Sequence, residues 1–149
     1  MTERTKPAPE IRVGERFVRQ VSLTAEEIST FARMSGDLNP LHHDEDFARQ
    51  TRFGGIIASA SHITALMIGF TAAHFSVGRS MVGLEFSFRF NRAVKAGENF
   101  EMGWEVIIVE PNQRLQGHIL TLEGKVVDSE KEELPYVTGL GKILVVEKL

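Results

Sequence analysis

Residues 31–70 read FARMSGDLNPLHHDEDFARQTRFGGIIASASHITALMIGF, and the two halves of this stretch differ in character. The first half is polar and rich in turn-forming residues, whereas from about Ile56 the chain is almost continuously apolar over a helical length. A segment that is apolar on every helical face is typical of a helix in a protein core. We therefore predict a central helix from Ile56 to about His74, which the chain enters from a polar loop.

The polar loop at residues 36–43 carries one strong conformational constraint. Pro40 fixes its own φ angle and drives Asn39 towards an extended conformation, and an Asn side chain can hydrogen-bond nearby backbone groups. Such a loop can hold Asp37 and His42 at a fixed separation. Since a carboxylate and an imidazole held together can act as an acid–base pair, Asp37 and His42 are the candidate catalytic residues.

Local patterns predict the elements that flank this loop. Residues 16–22 alternate as a strand does, and residues 24–27 have the form of a helical capping box. The helix that follows should end at residues 35–36, because Gly commonly ends helices. A second, short helix is expected over residues 44–50, with Asp44 as its cap and a Gly pair beyond it.

After Gly78 the hydrophobic pattern changes from a helical period to alternation, which is typical of strands. The first alternating segment has apolar residues at one parity only, which predicts a half-buried strand. Strands are predicted over residues 82–90, 100–108, 115–127 (with a bulge near Gly124) and 136–146. Long strands after one buried helix predict an α+β fold, with an antiparallel sheet curled around that helix.

Bulk properties narrow the class of protein. A chain of 149 residues fits one domain, and we expect a single domain over residues 11–149 after a flexible arm at residues 1–10. A net charge of −3 and no cysteine argue against a general nucleic-acid binder, a disulfide framework and a thiol nucleophile. The amino-terminal residues lack the apolar core of a secretory signal, and residues 56–70 are too short and too polar to span a bilayer. We therefore expect a cytoplasmic protein without a membrane partner.

The polar loop also carries a recognisable motif. Residues 36–42 read GDLNPLH, and Ala48 follows after five further residues. This pattern resembles the signature of the MaoC-like, (R)-specific enoyl-CoA hydratases, and Phe31 and Ser35 also fit it. The segments at residues 52–55 and 88–98 are similar to the family as well, so that about residues 12–147 can be aligned with such a domain. An Asp-x-Asn-Pro-x-His core is far more specific than an isolated short motif.

The resemblance implies a hotdog fold, an antiparallel sheet wrapped around a long buried central helix. It also implies an acyl-CoA thioester substrate, no cofactor beyond the coenzyme A of that substrate, and a homodimer or a dimer of dimers. In the family the motif's Asp and His activate a water for syn addition to a 2-enoyl thioester, and these residues correspond to Asp37 and His42. We further expect Asn39 to contact the substrate.

At the start of the central helix the sequence departs from the family pattern. Many members have His-Gly there, and the glycine N–H serves the thioester oxygen, whereas this chain has Ser59, Ala60 and Ser61. Ala60 keeps a backbone N–H at the matching position, but its Cβ narrows the site and the missing histidine changes the local polarity. Ser59, Ala60 and Ser61 are therefore the predicted substrate-binding residues of the helix.

Several other interpretations of these residues remain. A metal site at residues 42–44 is disfavoured, because adjacent side chains in an extended loop point apart and no further ligand cluster is evident. His62 is expected to be a hydrogen-bonded helix histidine, with a place at the border of the pocket as the alternative. Two other functions stay open, an acyl-CoA thioesterase that uses the same pair, and a non-catalytic acyl-CoA-binding or partner subunit.

Overall fold

The computed structural model describes residues 10–131 and 134–147, which include five strands in one antiparallel sheet of order β1-β3-β4-β5-β2. The predicted arm at residues 1–10 lies, apart from Glu10, outside the described residues, and it stays a prediction together with the domain bounds. A 3₁₀ turn, Pro40–His42, follows the first helix. The helices and strands are β1 Arg16–Ser22, α1 Ala25–Met34, α2 Glu45–Arg49, α3 Ala60–Phe75, β2 Ser80–Phe90, β3 Asn99–Asn112, β4 Gly117–Asp128 and β5 Val137–Val146.

Helix α3 packs on one face of the sheet, so the predicted α+β arrangement of a sheet around a central helix is confirmed. The indole of Trp104 on β3 is buried, and its Nε1 donates a hydrogen bond to the Met67 carbonyl oxygen of α3 at 2.9 Å. Gly124 lies opposite Trp104 in the β3–β4 register, where a Cβ atom would come within 2.5 Å of the indole. The predicted bulge is therefore not at Gly124, which continues β4 and makes room for the indole; the irregularity of this ladder is on the partner strand, between Val106 and Ile108.

The predicted start of the central helix is also wrong, because α3 begins at Ala60 and not at Ile56. The preceding residues are extended. Ile57 forms an antiparallel bridge with Lys95, and the Ala58 N–H donates to the Val94 carbonyl oxygen at 2.9 Å. A distant part of the chain thus holds these apolar residues in strand-like pairing. At 16 residues α3 is too short to cross a membrane, and no other described helix has the length and apolar character to do so.

Within this chain the sheet covers one face of α3 only. The buried residues of α3 are His62, Ile63, Met67, Phe70, Thr71 and Phe75. Small or apolar residues remain exposed elsewhere on the helix, namely Ala65, Ile68, Gly69 and Ala73. An apolar helix with an uncovered face has surface left to bury against another element.

Strand β2 is less buried than its alternation predicts. Val82, Leu84 and Phe90 are 38%, 48% and 47% exposed, while Phe86 and Phe88 pack against the core. The reason for Val82 and Leu84 is a register shift at Leu84 in the pairing of β2 with β5: Met81 packs against the core before the shift, and Phe86 and Phe88 do so after it, so the parity that faces the core changes there. The predicted alternation therefore holds at Phe86 and Phe88 and fails at Val82, Leu84 and Phe90.

Candidate active site

Helix α1 delivers Asp37 to the site. The Thr24 hydroxyl accepts a hydrogen bond from the Glu27 N–H at 3.1 Å, which confirms the predicted helix cap. Gly36 has a φ angle of 76°, a conformation that favours glycine, and it turns the chain at the end of the helix, as predicted. The Asp37 N–H then donates to the Ala32 carbonyl oxygen at 2.8 Å, which ties Asp37 to the last turn.

The turn after Asp37 is held by a series of short-range hydrogen bonds. Asp37 Oδ1 accepts from the Asn39 N–H at 3.0 Å, and Asn39 Oδ1 accepts from the Leu41 N–H at 3.1 Å. Asn39 and Pro40 together begin the 3₁₀ turn that contains His42. The Asn39 side-chain oxygen therefore caps this turn, and its expected contact with substrate stays a prediction.

The structure brings the two predicted catalytic side chains together. His42 is 5% exposed, and its Nε2 lies 3.3 Å from Asp37 Oδ2, while the Asp37 side chain is 33% exposed. His42 Nδ1 is 2.7 Å from the Ile57 carbonyl oxygen. Because a carbonyl can only accept, Nδ1 carries a proton, and this leaves Nε2 to face the carboxylate. A single proton shared between Nε2 and the carboxylate satisfies both groups, which is the arrangement that proton transfer requires.

The hydrogen bond from His42 to Ile57 also ties the acid–base pair to the beginning of α3. Two residues further on, Ser59 caps the helix, and its hydroxyl accepts from the His62 N–H at 3.3 Å. The Ser59 and Ser61 hydroxyls are 3.3 Å apart, and Ala60 and Ser61 are exposed. The backbone N–H groups of the first helical turn have no acceptor within the helix. The predicted substrate-binding residues thus adjoin the segment that holds His42.

His62 lies on the first turn of α3 and is buried, and its contacts differ in part from those expected from the sequence. It is 5% exposed, its ring stacks on Phe31 with centroids 4.3 Å apart, and its Nδ1 has no hydrogen-bond partner among the described residues. The expectation of a hydrogen-bonded histidine is therefore wrong for Nδ1. Burial lowers the pKa of His62 below its usual value of 6.5, the Glu27 carboxylate opposes this shift, and charge on His42 lowers the pKa further.

His43, considered from the sequence only as a metal ligand, has both ring nitrogens engaged. Nδ1 is 2.7 Å from the Ser29 hydroxyl, and Nε2 is 2.7 Å from the Asp37 carbonyl oxygen. In the described part of the chain, no three His, Asp or Glu side chains form a group that could hold a metal ion. Ser29 precedes His43 by 14 residues. No short motif joins the two, so the sequence carries no signal of this contact.

The chain is similar in sequence to a known protein family and to a characterised relative. Residues 8–114 match the family model described as MaoC like domain. A 3-hydroxybutyryl-CoA dehydratase from Methylorubrum extorquens is 27% identical over 105 residues, which cover 70% of this chain and 66%, just under two thirds, of that protein.

Two solved structures extend the likeness to the fold. One is the (R)-hydratase from A. caviae involved in PHA biosynthesis, with 26% identity, a TM-score of 0.77, and coverage of 91% of this chain and 98% of that one. The other is the unliganded R-hydratase PhaJ1 from Pseudomonas aeruginosa, with 26% identity, a TM-score of 0.78, and coverage of 93% and 84%. These similarities confirm the predicted hotdog fold. The chain belongs to the family of proteins with a MaoC-like domain.

Proposed function

We propose that this protein adds water to a trans-2-enoyl-CoA to give a 3-hydroxyacyl-CoA, or catalyses the reverse dehydration. The observation that carries the proposal is the Asp37–His42 pair, in which a partly exposed carboxylate lies 3.3 Å from a buried imidazole of fixed tautomer. Membership of the MaoC-like family and the names of the relatives support the same reaction class.

The proposed chemistry uses the pair as a unit. Hydration requires a base that takes a proton from water as its oxygen bonds to C3, and an acid that gives a proton to C2. The net result is addition of H and OH across the double bond, so the pair ends with as many protons as it began with. Asp37 and His42 together supply one proton acceptor and one proton donor, and dehydration reverses the two transfers.

The developing enolate oxygen of the thioester needs hydrogen-bond donors, and the beginning of α3 is the proposed source. The N–H groups of Ala60 and Ser61 lie in the first helical turn, where the helix dipole favours negative charge. Ser59 and Asn39 are the proposed further substrate contacts. We propose no cofactor other than the coenzyme A carried by the substrate.

We also propose that the working unit is a homodimer or a dimer of dimers. Strand β2 offers an 11-residue edge whose outer side chains include the half-exposed Leu84 and Phe90. A long apolar edge strand is a template for pairing with another strand. Pairing of two β2 edges would bury this apolar surface in a symmetric contact.

The test of the reaction is an assay of the purified protein with trans-2-enoyl-CoAs of increasing chain length, beginning with the four-carbon thioester. Loss of the conjugated enoyl-thioester absorbance without release of free thiol is the expected result. Thiol release would favour the thioesterase. Binding of saturated acyl-CoA without turnover would favour the non-catalytic binder, and either outcome contradicts the proposed reaction.

A further inference from the structure

Every polar group of Asp37 has a defined contact. Its N–H donates to the Ala32 carbonyl oxygen, Oδ1 accepts from the Asn39 N–H, and Oδ2 faces His42 Nε2. The fourth group, its carbonyl oxygen, lies 2.7 Å from His43 Nε2. Three of these contacts come from residues within five positions of Asp37. The His43 contact is the one that links Asp37, through a second side chain, back to the middle of α1.

The direction of the His43 hydrogen bonds follows from chemistry. The Asp37 carbonyl can only accept, so His43 Nε2 carries a proton and donates. Arg33 donates to the Ser29 hydroxyl oxygen at 2.8 Å, and that hydroxyl lies 2.7 Å from His43 Nδ1. In the neutral ring Nδ1 accepts, and the Ser29 proton points to it. Arg33, Ser29, His43 and Asp37 then form one chain of hydrogen bonds in which each donor has an acceptor.

We propose that His43 is a positioning residue, which fixes the Asp37 backbone so that the carboxylate faces His42 at the distance needed for proton transfer. The inference rests on the proposed function, because it assigns His43 to the same acid–base pair. His43 itself does not meet the reacting atoms, since both its nitrogens are used by Ser29 and Asp37. Its effect on the rate comes from geometry, to which general acid–base steps are sensitive.

Two substitutions of His43 test whether its hydrogen bond to Asp37 matters or only the volume of its side chain. A Gln side chain places its amide nitrogen near the position of Nε2, so His43→Gln retains a donor for the Asp37 carbonyl oxygen. An Asn side chain reaches only as far as Nδ1, so His43→Asn retains a polar contact for Ser29 and loses the donor to Asp37. The two variants are matched in chemistry, and each retains a different one of the two hydrogen bonds of His43.

We expect His43→Asn to lower kcat by about 10- to 100-fold with little change in KM, because misplacement of a catalytic group acts on the chemical step. His43→Gln should recover most of that loss. A wild-type kcat for folded His43→Asn, or an equal loss in both variants, would overturn the proposal. If Asp37→Asn also kept the wild-type rate, the proposed function would fail instead, so the two failures are distinguishable.

A measurement independent of activity is the ¹⁵N NMR spectrum of the imidazole rings in the whole protein. When the His43 ring is neutral, we expect the proton on Nε2 and none on Nδ1, because Nε2 faces the Asp37 carbonyl oxygen. We also expect Ser29→Ala to weaken this preference, because Nδ1 loses its donor. A ring with its proton on Nδ1 in the wild type would contradict the hydrogen bond to Asp37, whatever substrate the protein uses.

Discussion

The polar loop and the apolar helix of residues 31–70 are stabilised by different interactions. Between residues 36 and 43 the chain is largely exposed, yet hydrogen bonds of definite direction hold Asp37, His42 and His43. Helix α3 is apolar on all sides, yet the sheet covers only one of its faces within this chain. The loop is thus complete in a single copy, whereas the helix and its neighbouring edge strand leave apolar surface to be buried. The proposed chemistry therefore depends on the loop, and the proposed assembly depends on the edge strand and the uncovered face of the helix.

The strongest way to break the loop is to remove His42 Nε2 alone. In His42→Asn the amide nitrogen can still donate to the Ile57 carbonyl oxygen, so we expect a folded protein. Turnover should fall at least ~100-fold, the low end for loss of general acid–base catalysis. The matched control is His118→Asn, at an exposed strand position, which should keep the wild-type rate. Equal rates for the two variants would remove His42 from the mechanism.

The packing of α3 against the sheet is disrupted most directly by a substitution at Gly124. In Gly124→Ala the new Cβ would meet the indole of Trp104 at 2.5 Å, and the indole holds α3 through Met67. Overpacking of this kind costs about 1–3 kcal/mol in the free energy of unfolding, which urea denaturation measures. Gly55→Ala is the control, because no atom lies within 4 Å of its Cβ position. Similar stability of the two variants would show that the indole has room to move.

The uncovered region is tested by Leu84→Lys on the edge strand. A lysine on an edge opposes strand pairing, so we expect the dissociation constant of the dimer to rise at least about tenfold. Sedimentation velocity over a range of concentrations measures this change. Val13→Lys, at another exposed apolar position outside β2, is the control. A wild-type protein that is monomeric at every concentration would contradict the assembly proposed for β2.

The smallest expected effect is the pH dependence of stability that arises from His62. Its pKa is lowered in the folded protein, chiefly by burial, so the unfolded chain binds more protons as the pH falls through 6.5. The free energy of unfolding should therefore decrease on acidification, by less than about 1.4 kcal/mol per pH unit, and level off below the folded-state pKa. We expect His62→Leu to show a shallower slope in urea titrations between pH 7 and 5. An unchanged slope in His62→Leu, with exposed His118→Leu as the control, would contradict this origin.

Short-range patterns predicted the parts of the fold that depend on neighbouring residues. The Thr24 cap, the Gly36 turn and the Asp44 cap of α2 were readable because each one joins residues within four positions. The Asp37–His42 pair was readable because Pro40 and Asn39 shape the turn between them. These elements are local, and the structure contains them as predicted.

What could not be predicted depends on contacts between distant segments. The pairing of Ile57 with Lys95 delays the start of α3, and the register shift at Leu84 turns Val82 and Leu84 away from the core, against the alternation of the sequence. The contact of His43 with Ser29 arises only when α1 and the loop fold against one another. An alternating or apolar pattern indicates that a residue can be buried. Whether it is buried, and against which surface, depends on the tertiary fold.

The claim that Asp37 and His42 act as one acid–base unit is tested most directly by the hydration rate of Asp37→Asn alone and combined with His42→Asn. The control is Asp44→Asn, since Asn caps a helix as well as Asp does. We expect each single variant to lose at least ~100-fold in turnover, the double variant to lose little more, and the control to stay at the wild-type rate. A folded Asp37→Asn with wild-type turnover, or losses that multiply in the double variant, would contradict the claim.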